Sequence, residues 1–91
     1  GQTENTVVVF TSDHGELLGD HGLLFKGCRF FEALVHVPLV ISWPGSLLES
    51  ATSDSLVELV DIAPTLLELA GIPIPDYVQG IPVKMGAPAI F

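Results

Sequence analysis

The segment Thr11-Ser12-Asp13-His14-Gly15-Glu16-Leu17-Leu18-Gly19-Asp20-His21-Gly22 brings five potential metal ligands, Asp13, His14, Glu16, Asp20 and His21, into nine residues. Carboxylate oxygens and neutral imidazoles are both common ligands of divalent cations. Neighbouring side chains of a regular strand point to opposite faces, so Asp13 and His14 can share one ion only if the strand has ended before them. Gly15 gives the backbone the freedom to do so. Lys26 lies a few residues beyond the acidic loop, where an ammonium could neutralise a transferring anion and stabilise charge on a leaving oxygen. The plainer alternatives are a solvated acidic loop with capping aspartates and hydrogen-bonded histidines, and a surface lysine paired with Glu16 or Asp20.

The elements that must position these residues follow from periodicity. Val7-Val8-Val9-Phe10 is a continuous apolar run, which predicts a strand buried on both faces, as in a parallel sheet. Residues 12–22 read as a glycine-rich loop, so that 5–27 forms a strand with its metal loop. Residues 37–42 predict a second strand, entered at Pro38 and stopped by Trp43-Pro44-Gly45, with a small polar surface loop over 45–55. The spacing predicts a helix over 62–70. Leu59, Ile62, Ala63, Leu66, Leu67 and Ala70 form its apolar face; Glu58, Asp61, Thr65 and Glu68 form its polar face. Asp61 reads as the N-cap, Pro64 falls in the first turn and Gly71 supplies the stop. Residues 72–91 read as an extended, proline-rich tail. Strand, loop, strand and helix in this order indicate an α/β fold class. In open α/β sheets, ligands gather beyond the carboxyl ends of strands, where Asp13 and His14 fall.

Composition narrows the function classes. The 91 residues include 48% apolar and only 15% charged residues, with a net charge of −8. A chain this small buries only about 60–65% of the surface its unfolded form exposes. So apolar a sequence therefore reads as a piece cut from a larger protein, or as a protomer that buries surface in an oligomer. The start at Gly1-Gln2-Thr3, inside an element, also suggests an excised piece, whose open strand edges favour self-association. With only Lys26, Arg29 and Lys84 as bases, no basic patch exists for nucleic acid, and the acid surplus opposes attraction to anionic membranes. The one cysteine, Cys28, allows no internal disulfide. Apolar runs are too short to span a bilayer.

Three motifs in order, TSDHGELLGDHGLLFK, FFEALVHVPLVISWPG and VDIAPTLLELAGIPIPDYVQG, resemble the C-terminal part of the catalytic domain of sulfatases, which belong to the alkaline phosphatase superfamily. The resemblance covers roughly residues 5–82. It implies a fragment of an alkaline phosphatase-like α/β sandwich with a mainly parallel or mixed sheet and flanking helices. It also implies that Asp13 and His14 are ligands of a divalent cation, calcium above all, with manganese or zinc as alternatives. Lys26, twelve residues after His14, would contact the sulfate ester. Asp20, His21 and Glu32 match positions that support the loop; His36, where the family often has arginine or histidine, reads as structural, and Trp43-Pro44-Gly45 reads as a packed turn.

Sulfatases carry a formylglycine nucleophile made from a Cys/Ser-x-Pro-x-Arg motif, and this sequence has none. Cys28 lacks the proline, and Ser42-Trp43-Pro44-Gly45-Ser46 ends in Ser46 where arginine is needed. The family's Asp-Asp pair, which completes the cation site, is also absent. Two protein ligands hold calcium weakly, because the ion takes six to eight oxygens. The expectation is a portion of a sulfuric ester hydrolase that contributes metal- and sulfate-binding residues and is inactive alone. A phosphonate monoester or phosphodiester hydrolase of the same superfamily, and a non-catalytic metal-binding or oligomerising module, are the alternatives. The family suggests a periplasmic, secreted or lysosomal location.

Overall fold

The β-branched run near the start forms strand β1, Val8–Thr11, and the run after Pro38 forms strand β2, Leu39–Ser42. The structure, a computed structural model, describes residues 1–47 and 50–84. Contacts divide it into two compact units, Gly1–Trp43 and Pro44–Phe91.

In the first unit β1 and β2 pair antiparallel, with Val8 opposite Ser42, Val9 opposite Ile41, Phe10 opposite Val40 and Thr11 opposite Leu39. The register sorts side chains onto two faces. Val9, Thr11, Leu39 and Ile41 are half-buried, whereas Val8 and Phe10 remain 57% and 63% exposed and Val40 is exposed beside them. A parallel strand buried on both faces is therefore not what the described residues form. A continuous apolar run permits burial on two faces, but here one face is half-buried and the other exposed. The chain is a mixed α/β fragment with two short antiparallel strands and few helices.

A single helical turn, α1, Glu32–Val35, precedes β2 and buries Leu34. It also anchors the loop that follows β1. The Gly15 N–H donates to the Leu34 carbonyl at 2.8 Å. A Cβ on Gly15 would lie 1.9 Å from the Ala33 carbonyl oxygen, so glycine is required for this approach. Leu17 is buried nearby in sequence and, with Leu34, supplies the small core of this unit. At its end the Trp43 indole N–H donates to the Glu4 carbonyl at 2.9 Å.

In the second unit a 3-10 turn, Leu59–Asp61, runs directly into helix α2, Ile62–Leu69. Asp61 stands at the N-cap position of α2, as its residue type suggests, but its side chain caps no N–H of that helix. It is the third residue of the preceding turn, where it forms a capping box with Glu58 and accepts the Glu58 N–H through Oδ2 at 3.0 Å. The helix ends on Gly71, at φ 67°, with the Ile72 N–H bonded to the Leu67 carbonyl and the Gly71 N–H to the Glu68 carbonyl, a Schellman stop.

The polar-face assignment of Thr65 is also overturned. Thr65 is 1% exposed, whereas Leu66 is 44% exposed. The cause is the chain after the helix, which lies across α2. Thr65 Oγ1 donates to the Asp61 carbonyl at 2.5 Å and accepts the Val83 N–H at 2.8 Å. Asp61 Oδ1 accepts the Ile81 N–H at 2.8 Å. Gly80, at φ 92°, brings the backbone so near Val60 that a Cβ would sit 2.5 Å from its carbonyl oxygen. Val83 is itself buried where its N–H meets Thr65. Of the proline-rich tail, residues 85–91 lie outside the described residues.

Two outcomes test this packing. Gly15→Ala should destabilise the chain by about 2 kcal/mol through the clash with the Ala33 carbonyl, read as a shift of the urea midpoint. Gly22→Ala, in open space at φ 71°, should cost only the left-handed backbone penalty, about 1 kcal/mol. Equal shifts would contradict a close approach at Gly15. The second outcome concerns Asp61. Backbone hydrogen bonds from Ile81 and then Glu58 hold its carboxyl below the ordinary value of 3.8, against a smaller opposing effect of burial. A depressed folded value gives stability that is present above 3.8 and is lost as the pH falls through the folded value. The urea midpoint of the wild type should exceed that of Asp61→Ala near neutrality, and the gap should close only in acid below that value. A gap that persists unchanged there would contradict the assignment.

Candidate functional site

The turn after β1 is built from short-range hydrogen bonds that stop the strand from alternating. Ser12 Oγ donates to the His14 carbonyl at 2.8 Å, and the His14 N–H donates to Asp13 Oδ1 at 2.9 Å. Gly15 is then tied to α1 as described. Serine and aspartate side chains commonly compete with regular structure in this way.

The turn brings two ligand types together. Asp13 Oδ1 lies 3.7 Å from His14 Nε2. Metal–ligand bonds for hard cations run about 2.3–2.6 Å, so donors at this separation lie within the span of one ion. The Asp13 side chain is 84% exposed and open to approach. His14 Nδ1 is 2.8 Å from the Gly15 carbonyl oxygen. A carbonyl only accepts, so Nδ1 carries the proton and Nε2 of the neutral ring carries the lone pair. Fixing one ring nitrogen by a backbone acceptor is the usual way a ligating histidine is oriented.

Lys26 reaches the same place. Its Nζ is in direct hydrogen-bond contact with His14 Nε2. It forms no ion pair with Glu16 or Asp20; Glu16 Oε1 instead accepts the Leu17 N–H at 3.1 Å. Asp13, His14 and Lys26 thus meet around one point. Among the described residues, no group of three or more His, Cys, Asp or Glu side chains converges to hold a metal ion. The donor set suits a cation, a hard carboxylate oxygen beside an oriented imidazole, but it is partial.

The remaining candidates sit differently. Asp20 opens a 3-10 turn, Asp20–Gly22, in which its N–H donates to the Leu17 carbonyl and its carbonyl accepts the Leu23 N–H, both at 2.9 Å. His21 holds a left-handed backbone, φ 52°, and stacks its ring on Phe31 with centroids 4.0 Å apart and planes 17° off parallel. Glu32 does not tie down the loop through its carboxylate. Oε1 bonds His36 Nδ1 at 2.7 Å, one turn along α1, which accounts for His36 as well. Cys28 is an exposed free thiol, not the partly buried residue its small size suggests. Phe31, the aromatic before Glu32, supports His21 by the stack. The Leu34 carbonyl, which anchors Gly15, escapes sequence reading, because a backbone carbonyl has no signature in residue type.

Comparison with known proteins agrees over nearly the whole chain. Residues 1–72 match the sulfatase family. The chain is 44% identical over 87 residues to an arylsulfatase of Clostridium perfringens, covering 92% of this chain and 18% of that protein. It is 40% identical over 85 residues to an N-acetylglucosamine-6-O-sulfatase of Bacteroides thetaiotaomicron, covering 92% and 15%. A protein solved in complex with its substrate D-glucosamine-2-N,6-O-disulfate superposes with a TM-score of 0.83 at 38% identity, over 92% of this chain and 17% of that one. The chain therefore spans less than a fifth of each of these proteins. By the family match and by these likenesses in sequence and backbone, the chain belongs to the sulfatase family.

Proposed function

We propose that this chain is the portion of a sulfuric ester hydrolase that supplies two cation ligands and a sulfate-binding lysine. The observation that carries the reading is the meeting of Asp13 Oδ1, His14 Nε2 and Lys26 Nζ at the end of β1. Asp13 and His14 are the residues that would hold a divalent cation, calcium first, with manganese or zinc also compatible with a carboxylate–imidazole pair. When bound, such a cation polarises sulfate oxygens and lowers the pKa of a coordinated nucleophile.

The chain's own residues do the rest. Gly15 holds the His14 ring by its carbonyl, so that Nε2 presents a lone pair and not a proton. The ammonium of Lys26 offers three donors and a full positive charge to the ester's oxygens, which gain negative charge as the bond to the leaving oxygen breaks. His21, stacked on Phe31, and Asp20 shape the loop between the ligands and Lys26. The nucleophile, a formylglycine in this reading, and the further carboxylates of the cation site come from outside these 91 residues, so the chain alone is inactive. The enclosing fold is the α/β sandwich of the alkaline phosphatase superfamily, whose further layer covers Val8, Phe10 and Val40. The solved relative's sulfated glucosamine supports a sulfated sugar as substrate.

In a complete sulfatase domain carrying this segment, Lys26→Ala should lower kcat/KM for 4-nitrophenyl sulfate by about 10²–10³-fold, the scale of removing one charge-stabilising donor. Asp13→Ala should lose activity together with bound cation, measured by metal analysis. Undiminished turnover in Lys26→Ala would remove its assigned part, and faster hydrolysis of bis(4-nitrophenyl) phosphate than of the sulfate would move the protein to the phosphodiesterase branch.

A further inference from the structure

We infer that Lys26 competes with the cation for His14 and that cation binding is what frees its ammonium for substrate. This rests on the reading of Asp13 and His14 as cation ligands. The Gly15 carbonyl takes the Nδ1 proton, which leaves the ring a single lone pair, on Nε2. Lys26 Nζ occupies that lone pair. The chain carries 11 acidic residues, yet among the described residues Lys26 makes no ion pair with any of them. Its ammonium stands instead where a metal ion would bond the imidazole.

One lone pair serves one partner. A cation that takes Nε2 must expel Lys26, and the expelled ammonium is then repelled by the dication and attracted to any anion beside it. Lys26 is exposed and its stem is flexible, so the displacement needs no movement of the backbone. Three consequences follow by linkage. Lys26 weakens cation binding, and the cation weakens the Lys26–His14 bond by the same factor. An anionic ester that draws Lys26 away raises cation affinity. The lysine also satisfies the imidazole while no cation is present.

The test is a calcium titration of a complete sulfatase domain carrying this segment, repeated with manganese, followed by nitrogen-15 NMR of the imidazole and of the lysine side chain. In the wild type, the His14 Nε2 and Lys26 Nζ signals should move with one common midpoint. Lys26→Met should tighten cation binding about three- to tenfold, as expected for removing one positive charge near a dication at a solvent-exposed site. Lys26→Gln, which keeps a donor without the charge, should fall between the two. Equal affinity in Lys26→Met and wild type, or a His14 response with no Lys26 response, would overturn the competition while leaving the ligand assignment standing. If neither Asp13 nor His14 responds to either ion in wild type or variant, the ligand assignment itself falls, and the competition with it.

Discussion

Two adjacent side chains can face one point only where the backbone ceases to alternate, and here the turn bonds of Ser12 and Asp13 and a pinned Gly15 accompany that change. The Gly15 N–H bonds the Leu34 carbonyl, and the Ala33 carbonyl fills the space any larger residue would need. The pin joins the turn after β1 to α1, and α1 leads through Val37 and Pro38 into β2, the strand paired with β1. The close contact at Gly15 thus lies between the paired strands in sequence and next to Asp13 and His14. A small shift of α1 would move the Gly15 carbonyl, and with it the proton that decides which nitrogen of His14 is free.

This dependence explains what was legible in the sequence. The spacing of Asp13, His14 and Lys26 is a matter of residue type, and the family resemblance rests on residue types, so both could be read directly. The positions of the two strands and of α2 followed from runs of apolar residues. What escaped reading is carried by backbone atoms. The Leu34 and Gly15 carbonyls are available at every position of any chain and leave no mark in residue identity. The orientation of β1 escaped for a related reason: Val7-Val8-Val9-Phe10 records a strand suited to burial, but not which strand lies beside it or whether a second layer is present. The burial of Thr65 escaped because polarity alone does not set exposure. A hydroxyl that donates to one carbonyl and accepts one N–H is fully satisfied out of water.

Thr65 belongs to a simple geometric match in the second unit. Asp61 and Thr65 are four residues apart on a helix, about 6.0 Å along the axis. The Ile81 and Val83 N–H groups are two residues apart on extended chain, about 6.6 Å. Alternate N–H groups of extended chain point the same way, so one helical turn presents two oxygens at nearly the repeat of a strand edge. The segment after the helix thus gains ladder-like bonding without a partner strand, which suits a proline-containing stretch that cannot fill a full ladder. Gly80 allows the approach, since its neighbour Val60 leaves no room for a side chain.

Charge sets the last condition on the site. The chain carries a net −8, so its summed field favours cations and opposes an anionic ester. At physiological ionic strength that field is screened beyond about 8 Å, which leaves the local arrangement to decide. Locally, one carboxylate and one oriented imidazole face one ammonium. A dication held by Asp13 and His14 would reverse the sign of that neighbourhood, and Lys26 would add to the reversal once it no longer bonds the imidazole. On the proposed reading, the bound cation and the freed ammonium together would give an anionic ester a local positive site on a chain of net −8. The scarcity of bases elsewhere sharpens the contrast, because Arg29 and Lys84 are the only other basic side chains in the sequence. An anion attracted to this segment would have few rival positive sites along the chain.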